Sequence, residues 1–206
     1  MQTRSDGVVD MIVIDFDAPD RVRGFARFDA ERLKEALAVN EAAPAQLLGR
    51  GHLGLTIDQG PEFQRYQGVV PLDGQGLEQA AHQYFLQSEQ IPTVVRLAVG
   101  ETVTGEGSRW RAGGLMLQFL PQSLDRRRQA DLHPGDAPEG ASIQQGEEDD
   151  AWVEAKSLVA TIEDHELIDP TLSSERLLYR LFHERGVKVF EGQSVQHACR
   201  CSTQRI

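Results

Sequence analysis

The sequence predicts an α+β fold in which antiparallel sheets pack with helices, followed by an α-helical linker region. The first part of the chain has the order hairpin, helix, hairpin, helix, hairpin, which is typical of antiparallel α+β sheets rather than of a parallel βαβ stack. After residue 150, apolar residues recur at helical spacing instead. With 206 residues, 40% of them hydrophobic, the chain has the size of one ordinary domain, or of one domain plus an appended helical piece.

The first predicted element is a hairpin. Apolar residues dominate Val8–Phe16, which predicts a strand buried on much of both faces. The turn residues of Asp17–Asp20 end this strand, and apolar and charged residues then alternate through Arg21–Phe28. Asp29 is a predicted N-cap, because apolar residues follow it at the spacing of a short helix.

A second β block precedes the next helix. Leu53, Leu55 and Ile57 alternate strictly with other residues, and after a break the apolar pattern resumes over Tyr66–Leu72. Apolar residues at a period of about 3.6 over Leu77–Phe85 then predict a helix with one buried face.

Two further strands are predicted over Ile91–Val99 and Ser108–Leu120. The glycines and polar residues of Gly100–Gly107 predict a hairpin loop between them. Gly113 and Gly114 lie inside the second strand, where close backbone packing or a bulge explains them better than a phosphate-binding loop does.

The composition changes after residue 121. The acidic, proline- and glycine-containing stretch Asp125–Asp150 predicts a solvated flexible loop, with an acidic partner-binding segment as the alternative. Helices follow, with Ser173 or Ser174 as a cap and Gly186 just after the last helix, and Val187–Phe190 is predicted to be a short strand. The apolar stripes of these helices consist of Trp152, Ala155, Leu158, Val159 and Ile162, and of Leu177, Leu178, Leu181 and Phe182.

Charge and missing motifs exclude several classes of function. The net charge of −11 argues against binding to a nucleic-acid backbone. No apolar run approaches the roughly 18 residues of a membrane span, and the N-terminus does not resemble a signal peptide, so we expect a cytoplasmic protein without membrane contact. The nucleotide-binding, nucleophile-elbow and zinc-protease motifs are missing from the sequence, so we expect no enzyme activity.

The histidines form no catalytic or metal-binding constellation in the sequence. His165 stands among carboxylates in Glu163–Glu166, but contiguous residues on a helix point in different directions, so a solvated face is the better interpretation. His183 is predicted to cap or line the last turn of its helix.

The two cysteines, Cys199 and Cys201, form a C-x-C motif. In an extended chain such residues lie about 6.6 Å apart at Cα on the same side, so a mild bend lets two thiolates share a zinc ion or form a disulfide. Arg200, His197 and Arg205 supply positive charge that favours thiolates. Taken alone, the pair also fits two incidental exposed cysteines, and two thiolates are only half of a structural zinc site.

Six blocks of the sequence occur in a distinctive order. They are Gln2–Gly7, Thr56–Leu72, Tyr84–Glu101, Trp110–Pro121, Leu177–Phe190 and His197–Arg205. Within them, YF-x-x-SEQ-x-PT, the AGG-apolar strand and C-x-C followed by S-x-x-R are jointly specific. Over nearly its whole length, the chain thereby resembles the redox-regulated heat-shock holdases, the thirty-three-kilodalton heat-shock chaperone family of bacteria.

The resemblance implies an ATP-independent, redox-regulated chaperone that binds unfolding proteins and prevents their aggregation under oxidative or heat stress. In that family a C-x-C and a later C-x-x-C hold one zinc as thiolates. Oxidation converts each pair to a disulfide, releases the zinc, unfolds the linker and uncovers apolar surface. By this resemblance, Cys199 and Cys201 are a redox pair and half of a four-thiolate zinc site.

Two departures from the family pattern lead to further expectations. No C-x-x-C follows Cys201, so we expect no zinc on this chain, with both cysteines free or bridged to each other. The family pattern also places a strand and helices ahead of Gln2, so we expect the chain to be a fragment.

The resemblance also suggests a division of the chain and a set of partners. The regions are an α+β core for substrate binding and dimerisation (1–121), a helical linker (122–196) and the start of the truncated zinc and redox module (197–206). We expect unfolded or partly folded clients as partners and a homodimer, including a domain-swapped form. Alternatives are a thiol-disulfide oxidoreductase and a purely structural zinc-binding module. The candidate client-binding residues are Trp152, Val159, Leu177, Leu181 and Phe182.

Overall fold

The computed structural model describes residues 1–39, 42–58, 60, 65–105, 107–120 and 149–198. The chain forms two compact units, one made of Met1–Gln90 with the stretch from Phe190 onward and the other of Ile91–Val189. The sheets are almost entirely antiparallel and pack with helices, which confirms the predicted α+β class.

The elements have the following bounds. The strands are β1 (Gln2–Ser5), β2 (Val9–Asp17), β3 (Arg21–Phe28), β4 (Arg50–Ile57), β5 (Tyr66–Asp73), β6 (Thr93–Thr104), β7 (Gly107–Gln118) and β8 (Gln196–His197). The helices are α1 (Ala30–Ala38), α2 (Pro44–Leu48), α3 (Leu77–Tyr84), α4 (Asp150–Ala160), α5 (Asp164–Ile168) and α6 (Ser174–Phe182), and a π-helical turn (Phe85–Glu89) continues α3.

The first unit is built on a six-stranded sheet with the order β5-β4-β1-β2-β3-β8. Its neighbouring strands are antiparallel, except that β8 runs parallel to β3. The alternation that predicted β4 and β5 places Leu53, Val70 and Leu72 on one face, where they pack against Ala80 and Tyr84 of α3. The predicted N-cap is also confirmed, because the Asp29 carboxylate accepts hydrogen bonds from two backbone N–H groups of α1.

The prediction that the first hairpin strand is buried on both faces is wrong. The strand forms as β2, but Ile14 is 37% exposed and Phe16 is 60% exposed. Helix α3 packs on β5, and the sheet order separates β5 from β2 by two strands. A strand is buried on both faces only where other elements cover both faces. Helix α3 lies at the end of the sheet away from β2, so it does not cover this strand.

The second unit contains the β6–β7 hairpin and helices α4, α5 and α6. Backbone pairing runs from Thr93↔Gln118 to Thr104↔Gly107, so the predicted loop Gly100–Gly107 is too long. The β-branched residues Thr102 and Val103 extend the ladder instead. Gly107 then adopts a φ of +125°, a conformation that glycine tolerates, as the chain turns back.

The C-terminal helices start and end close to where the sequence predicts. The Ser173 side chain accepts a hydrogen bond from the Arg176 backbone N–H as the N-cap of α6, and Gly186 has a φ of +81° just beyond the helix. The predicted strand Val187–Phe190 does not form. A strand needs a ladder partner, and within the described ranges none pairs with these residues.

Helices that the sequence analysis placed in the linker pack against strands that it placed in the core. Helices α4 and α6 share an apolar cluster with residues of β6 and β7. Residues 121–148, which include most of the predicted acidic loop, lie outside the described residues. The boundaries of the three predicted regions remain predictions.

Candidate functional site

The predicted client-binding residues all lie on α4 and α6, and they point into the second unit. Val159 is 0% exposed, and together with Leu177 and Leu181 it belongs to one buried cluster. Phe182 is partly buried against this cluster. Trp152 is buried as well, and its ring centroid lies 5.8 Å from that of Phe119. The structure therefore buries four of these residues and partly buries Phe182.

The cover for these helices comes from one face of the β6–β7 hairpin. Val94, Leu115 and Leu117 pack against the helix cluster, and we call these three residues the covered hairpin face. The strand register explains why they lie together, because Val94 stands opposite Leu117 and the side chains of β7 alternate between the two faces. The covered hairpin face and the helix cluster form a single apolar core.

Glycines on the hairpin allow α5 to approach the backbone of the sheet. A Cβ atom added to Gly113 would lie 1.9 Å from the backbone oxygen of Leu167, and one added to Gly100 would lie 2.7 Å from Cδ1 of Ile168. At Gly113 the obstacle is a backbone atom, so only glycine fits there in this arrangement, whereas at Gly100 the end of the flexible Ile168 side chain would have to move. The close backbone packing predicted for the Gly113-Gly114 pair is confirmed.

Ion pairs also tie the helices in place. Arg96 of β6 donates a hydrogen bond to Asp164 at the start of α5, with a distance of 3.0 Å. Arg180 of α6 donates to Glu166 of α5 at 2.8 Å. Each pair joins two different elements, so both favour the docked arrangement, by the modest amounts expected of exposed pairs.

A third ion pair joins α4 to the chain that follows α6. Arg185 donates two hydrogen bonds to the Glu154 carboxylate. These bonds hold the pKa of Glu154 below its ordinary value and raise the pKa of Arg185. The N–H and hydroxyl groups of Thr171 likewise lower the pKa of Asp169, in the turn between α5 and α6.

The opposite face of the same hairpin carries several exposed apolar side chains, although Thr93 and Val95 on that face are buried. Val99 is 70% exposed, Trp110 is 74% exposed and Met116 is 56% exposed. Sequence reasoning did not identify this face. The signal was present in the sequence, because apolar residues occupy both alternating positions along these strands.

Cys199 and Cys201 lie outside the described residues, but the chain leading to them is described. The Gln196 backbone N–H donates to Asp20 O at 2.8 Å, and the Ala198 N–H donates to Val22 O at 3.0 Å. The pair thus directly follows a segment that is hydrogen-bonded to the edge of β3.

The described residues contain no group of three or more His, Cys, Asp or Glu side chains placed to hold a metal ion. His165 Nδ1 lies 3.1 Å from the Glu163 carboxylate with both side chains exposed, in agreement with the predicted solvated face. His183 follows α6 directly as its C-cap, and its Nδ1 lies 3.1 Å from Tyr179 O, which confirms its predicted place at the helix end.

A cleft of about 840 Å³ with both charged and apolar lining residues lies in the first unit, and Ala198 is part of its lining. Two pairs of its charged side chains, Asp15 with Arg23 and Asp58 with Arg65, are ion pairs within the protein. The Gly60 N–H and the Arg65 guanidinium both bind the Asp58 carboxylate and hold the pKa of that carboxyl below its ordinary value. The cleft therefore offers little unpaired charge from Arg65 or Asp58 to a ligand.

The YF-x-x-SEQ block has a structural role. The Tyr84 hydroxyl donates to the Glu89 carboxylate at 2.9 Å across the π-helical turn, and burial raises the pKa of Tyr84 well above its ordinary value. A Cβ atom on Gly68 would lie 2.5 Å from the Tyr84 ring and 2.8 Å from the Ser88 hydroxyl. The motif residues therefore hold the end of α3 against β5.

None of the described helices is both long enough and apolar enough to cross a membrane.

Comparison with known proteins identifies the family. A "33 kDa chaperonin" of Caulobacter vibrioides is 42% identical over 210 residues, which cover 100% of this chain and 62% of that protein. A protein of the same name from Pseudomonas fluorescens is 34% identical over 205 residues and matches over 57% of its length. The chain thus spans less than two thirds of the length of these two relatives.

A solved structure has the same fold. The crystal structure of a 33 kDa chaperonin (heat shock protein 33 homolog) from Thermotoga maritima matches with a TM-score of 0.66, over 99% of this chain and 60% of that one. At 17% identity, this match shows the fold alone. A family model described as "Hsp33 protein" matches residues 1–206, which confirms the resemblance found in the sequence, and the chain belongs to the Hsp33 family.

Proposed function

We propose that this chain is part of an ATP-independent holdase chaperone that binds unfolding proteins and is switched by oxidation of its thiols. The relatives named 33 kDa chaperonin support the chaperone role. The single observation that carries the proposal is the large apolar core between the covered hairpin face and three short helices. When the helices separate from the hairpin, the apolar surfaces on both sides of this core become accessible to a client.

The three helices are short, so we expect them to unfold once they separate from the hairpin. Helix α4 has 11 residues, α5 has 5 and α6 has 9. Isolated helices below roughly 12–15 residues are marginal in water, so packing on the hairpin supplies most of their stability. Undocking would therefore expose the covered hairpin face and also free the apolar side chains of the helices for contact with a client.

The proposed trigger is the cysteine pair. A peroxide oxidises the thiols of Cys199 and Cys201 to one disulfide: two electrons and two protons leave the sulfurs, and the peroxide is reduced to water. The pair directly follows β8, and residues 183–195 connect β8 to α6. A change at the pair can thus reach the docked helices through the chain.

Zinc fits this chain only in part. When bound, zinc would hold both thiolates and keep them from forming a disulfide. The two thiolates of Cys199 and Cys201 suit half of a tetrahedral site, and no described cluster of His, Cys, Asp or Glu completes it. The proposed switch therefore depends on oxidation of the two thiols. Zinc release would contribute to it only where further ligands complete the zinc site.

The partners follow from the same proposal. Clients are unfolded or partly folded proteins in the cytoplasm, the working form is a homodimer, and no enzymatic turnover is involved. Turnover of a dithiol substrate would instead indicate the oxidoreductase alternative, and metal binding without client binding would indicate the structural zinc module.

The test follows light scattering while a chemically denatured client is diluted into buffer without nucleotide. The chain is added at several-fold molar excess, either reduced or treated with peroxide, beside a Cys199→Ser/Cys201→Ser variant. We expect the peroxide-treated chain to suppress scattering several-fold more than the reduced chain, and the variant to respond equally in both states. No suppression in either state would refute the holdase proposal, and an unchanged peroxide response in the variant would refute the thiol switch.

A further inference from the structure

The cysteine pair begins two residues after the end of β8, the short strand that pairs with the first residues of β3. We infer that this pairing, closed by the Gln196 side chain on Asp20, disfavours the disulfide between the two cysteines and so favours their dithiol form. The inference rests on the proposed thiol switch, for which it names Gln196 and Asp20 as positioning residues. Both residues belong to the first unit.

Three hydrogen bonds hold β8 on β3. The Gln196 backbone N–H donates to Asp20 O at 2.8 Å, and the Ala198 N–H donates to Val22 O at 3.0 Å. The Gln196 side chain adds the third bond, because its Nε2 donates to the Asp20 carboxylate at 2.7 Å. A hydrogen bond to an ionised group is stronger than one between two neutral groups. Gln196 therefore makes two of the three bonds, including the charge-assisted one.

β8 is a weak strand, so each of these bonds is important for its pairing. It has two residues, both exposed, and only two register positions, Arg21↔Gln196 and Val22↔His197. The neighbouring ladder between β2 and β3 has eight. Within the described residues, β8 is the only strand after α6. Its contacts are thus the sheet attachment on which the position of the cysteine segment depends.

A disulfide between Cys199 and Cys201 needs a bend that an extended backbone lacks. Residues two apart in a strand lie about 6.6 Å apart at Cα, close to the upper limit of about 6.8 Å for a disulfide, whose Cβ atoms must approach to about 3.8 Å. The bend must therefore form immediately after Ala198, whose N–H makes the last bond of the ladder to Val22. Closing the disulfide thus competes with the extended pairing of β8.

This competition links strand pairing to oxidation. By thermodynamic reciprocity, if the disulfide weakens the ladder by some factor, the intact ladder disfavours the disulfide by the same factor. Exchange with glutathione measures that factor without a client. Oxidised glutathione takes two electrons and two protons from the two thiols and becomes two molecules of reduced glutathione, while the two sulfurs form one disulfide.

The ladder would set how strong an oxidant the switch needs. While β8 is paired, the thiols stay reduced under weakly oxidising conditions. Once the disulfide forms, the weakened ladder loosens residues 183–195, which connect β8 to α6. Gln196 and Asp20 would then act on the redox equilibrium of the cysteines without contacting a client.

The experiment equilibrates the whole chain with mixtures of reduced and oxidised glutathione in the presence of a metal chelator. Mass spectrometry after alkylation measures the fraction of disulfide. We expect Gln196→Ala to raise the equilibrium constant for disulfide formation about threefold or more, as for the loss of one hydrogen bond. Gln193→Ala removes the same type of exposed side chain ahead of β8 and should leave the constant unchanged. An unchanged constant in Gln196→Ala, a shift toward the dithiol, or an equal shift in Gln193→Ala would overturn the inference.

Exchanging the two side chains gives a second readout. Gln196→Glu places two carboxylates together, so its constant should rise at least as far as that of Gln196→Ala. Asp20→Asn/Gln196→Glu restores an amide–carboxylate bond with donor and acceptor exchanged, and it keeps the same new charge near the cysteines. We expect this double variant to return to within about twofold of the parent chain. A double variant no closer to the parent chain than Gln196→Glu would overturn the inference.

The two proposals fail in different ways. The absence of aggregation suppression by the peroxide-treated parent chain refutes the proposed function. Normal suppression together with an unchanged glutathione equilibrium in Gln196→Ala refutes this inference alone.

Discussion

At the scale of single residues, Gly113 has the clearest structural requirement in the second unit. The backbone carbonyl of Leu167 occupies the space that any larger residue at position 113 would need. A backbone atom cannot rotate away as a flexible side chain does. Substitution at this position must therefore displace α5 from the hairpin.

We predict that Gly113→Ala lowers the free energy of unfolding by about 1–3 kcal/mol, the cost typical of overpacking. Urea denaturation measures this change, and a hydrophobic dye should report newly exposed apolar surface in the reduced chain. Gly105→Ala is the matched control, since a Cβ there meets no atom within 4 Å. Equal stability of the two variants would contradict the assigned role of Gly113.

At the scale of elements, the docking of α4, α5 and α6 depends on a few large apolar side chains. Leu181 of α6 is 4% exposed and lies in the same cluster as Val159 and Leu177. Tyr179, on the same helix, is 66% exposed. The two positions separate the effect of losing buried contacts from that of changing helix composition.

We predict that Leu181→Ala costs about 2–5 kcal/mol of stability, because it removes buried methyl groups and leaves a cavity. In the reduced state this variant should suppress client aggregation more strongly than the parent chain, because its helices undock more often. Tyr179→Ala should change stability by no more than about 0.5 kcal/mol. Light scattering and urea denaturation on both variants test this, and greater suppression by Tyr179→Ala would contradict it.

The Glu154–Arg185 pair makes the docking of α4 sensitive to acid. The pKa of Glu154 is lowered in the folded chain from its ordinary value of 4.5, mainly by hydrogen bonds from Arg185. The Glu154 carboxylate therefore binds a proton more readily in the unfolded chain than in the folded chain. The contribution of Glu154 to stability is complete above about pH 4.5. It is lost as the pH falls through the lower pKa that Glu154 has in the folded chain.

We predict that hydrophobic-dye fluorescence rises as the pH falls below 4.5, the ordinary value of a glutamate carboxyl. In Glu154→Gln, part of this rise should already be present at neutral pH. Glu35→Gln makes the same change in net charge on exposed α1 and should behave like the parent chain. Identical pH profiles for Glu154→Gln and the parent chain would show that this pair does not hold α4.

At the scale of the whole molecule, the net charge of −11 determines which other proteins the chain attracts and which it repels. A strongly acidic surface attracts basic polypeptides and repels acidic ones over distances comparable with the Debye length. It also keeps complexes with apolar clients in solution. This electrostatic effect does not depend on the state of the cysteines.

We predict that association with a basic unfolded client slows several-fold as ionic strength rises from about 0.01 M to about 0.15 M, which shortens the Debye length from roughly 30 Å to roughly 8 Å. Association with an acidic client of similar length should become faster over the same range. Stopped-flow fluorescence with the two labelled clients measures both rates. A salt dependence of the same sign for both clients would contradict this prediction.

The sequence by itself determined the features that depend on near neighbours. Alternation at a period of two predicts β4 and β5, and helical stripes predict α4 and α6. Residues within a turn indicate the cap Asp29 and narrow the cap of α6 to Ser173 or Ser174, of which the structure uses Ser173. The ordered motif blocks were sufficient to indicate the family. These signals are local, because each reflects the repeat geometry of one element.

Only the tertiary structure decided which faces are covered and which edges are paired. Gln196 bonds to Asp20 across 176 positions of sequence, and no local pattern encodes that contact. The exposure of Phe16 depends on α3 lying at the other end of the sheet, and the length of the β6–β7 ladder depends on pairing between two strands. Burial and strand pairing are set by distant parts of the chain that compete for the same surfaces, so they emerge only when the whole chain packs.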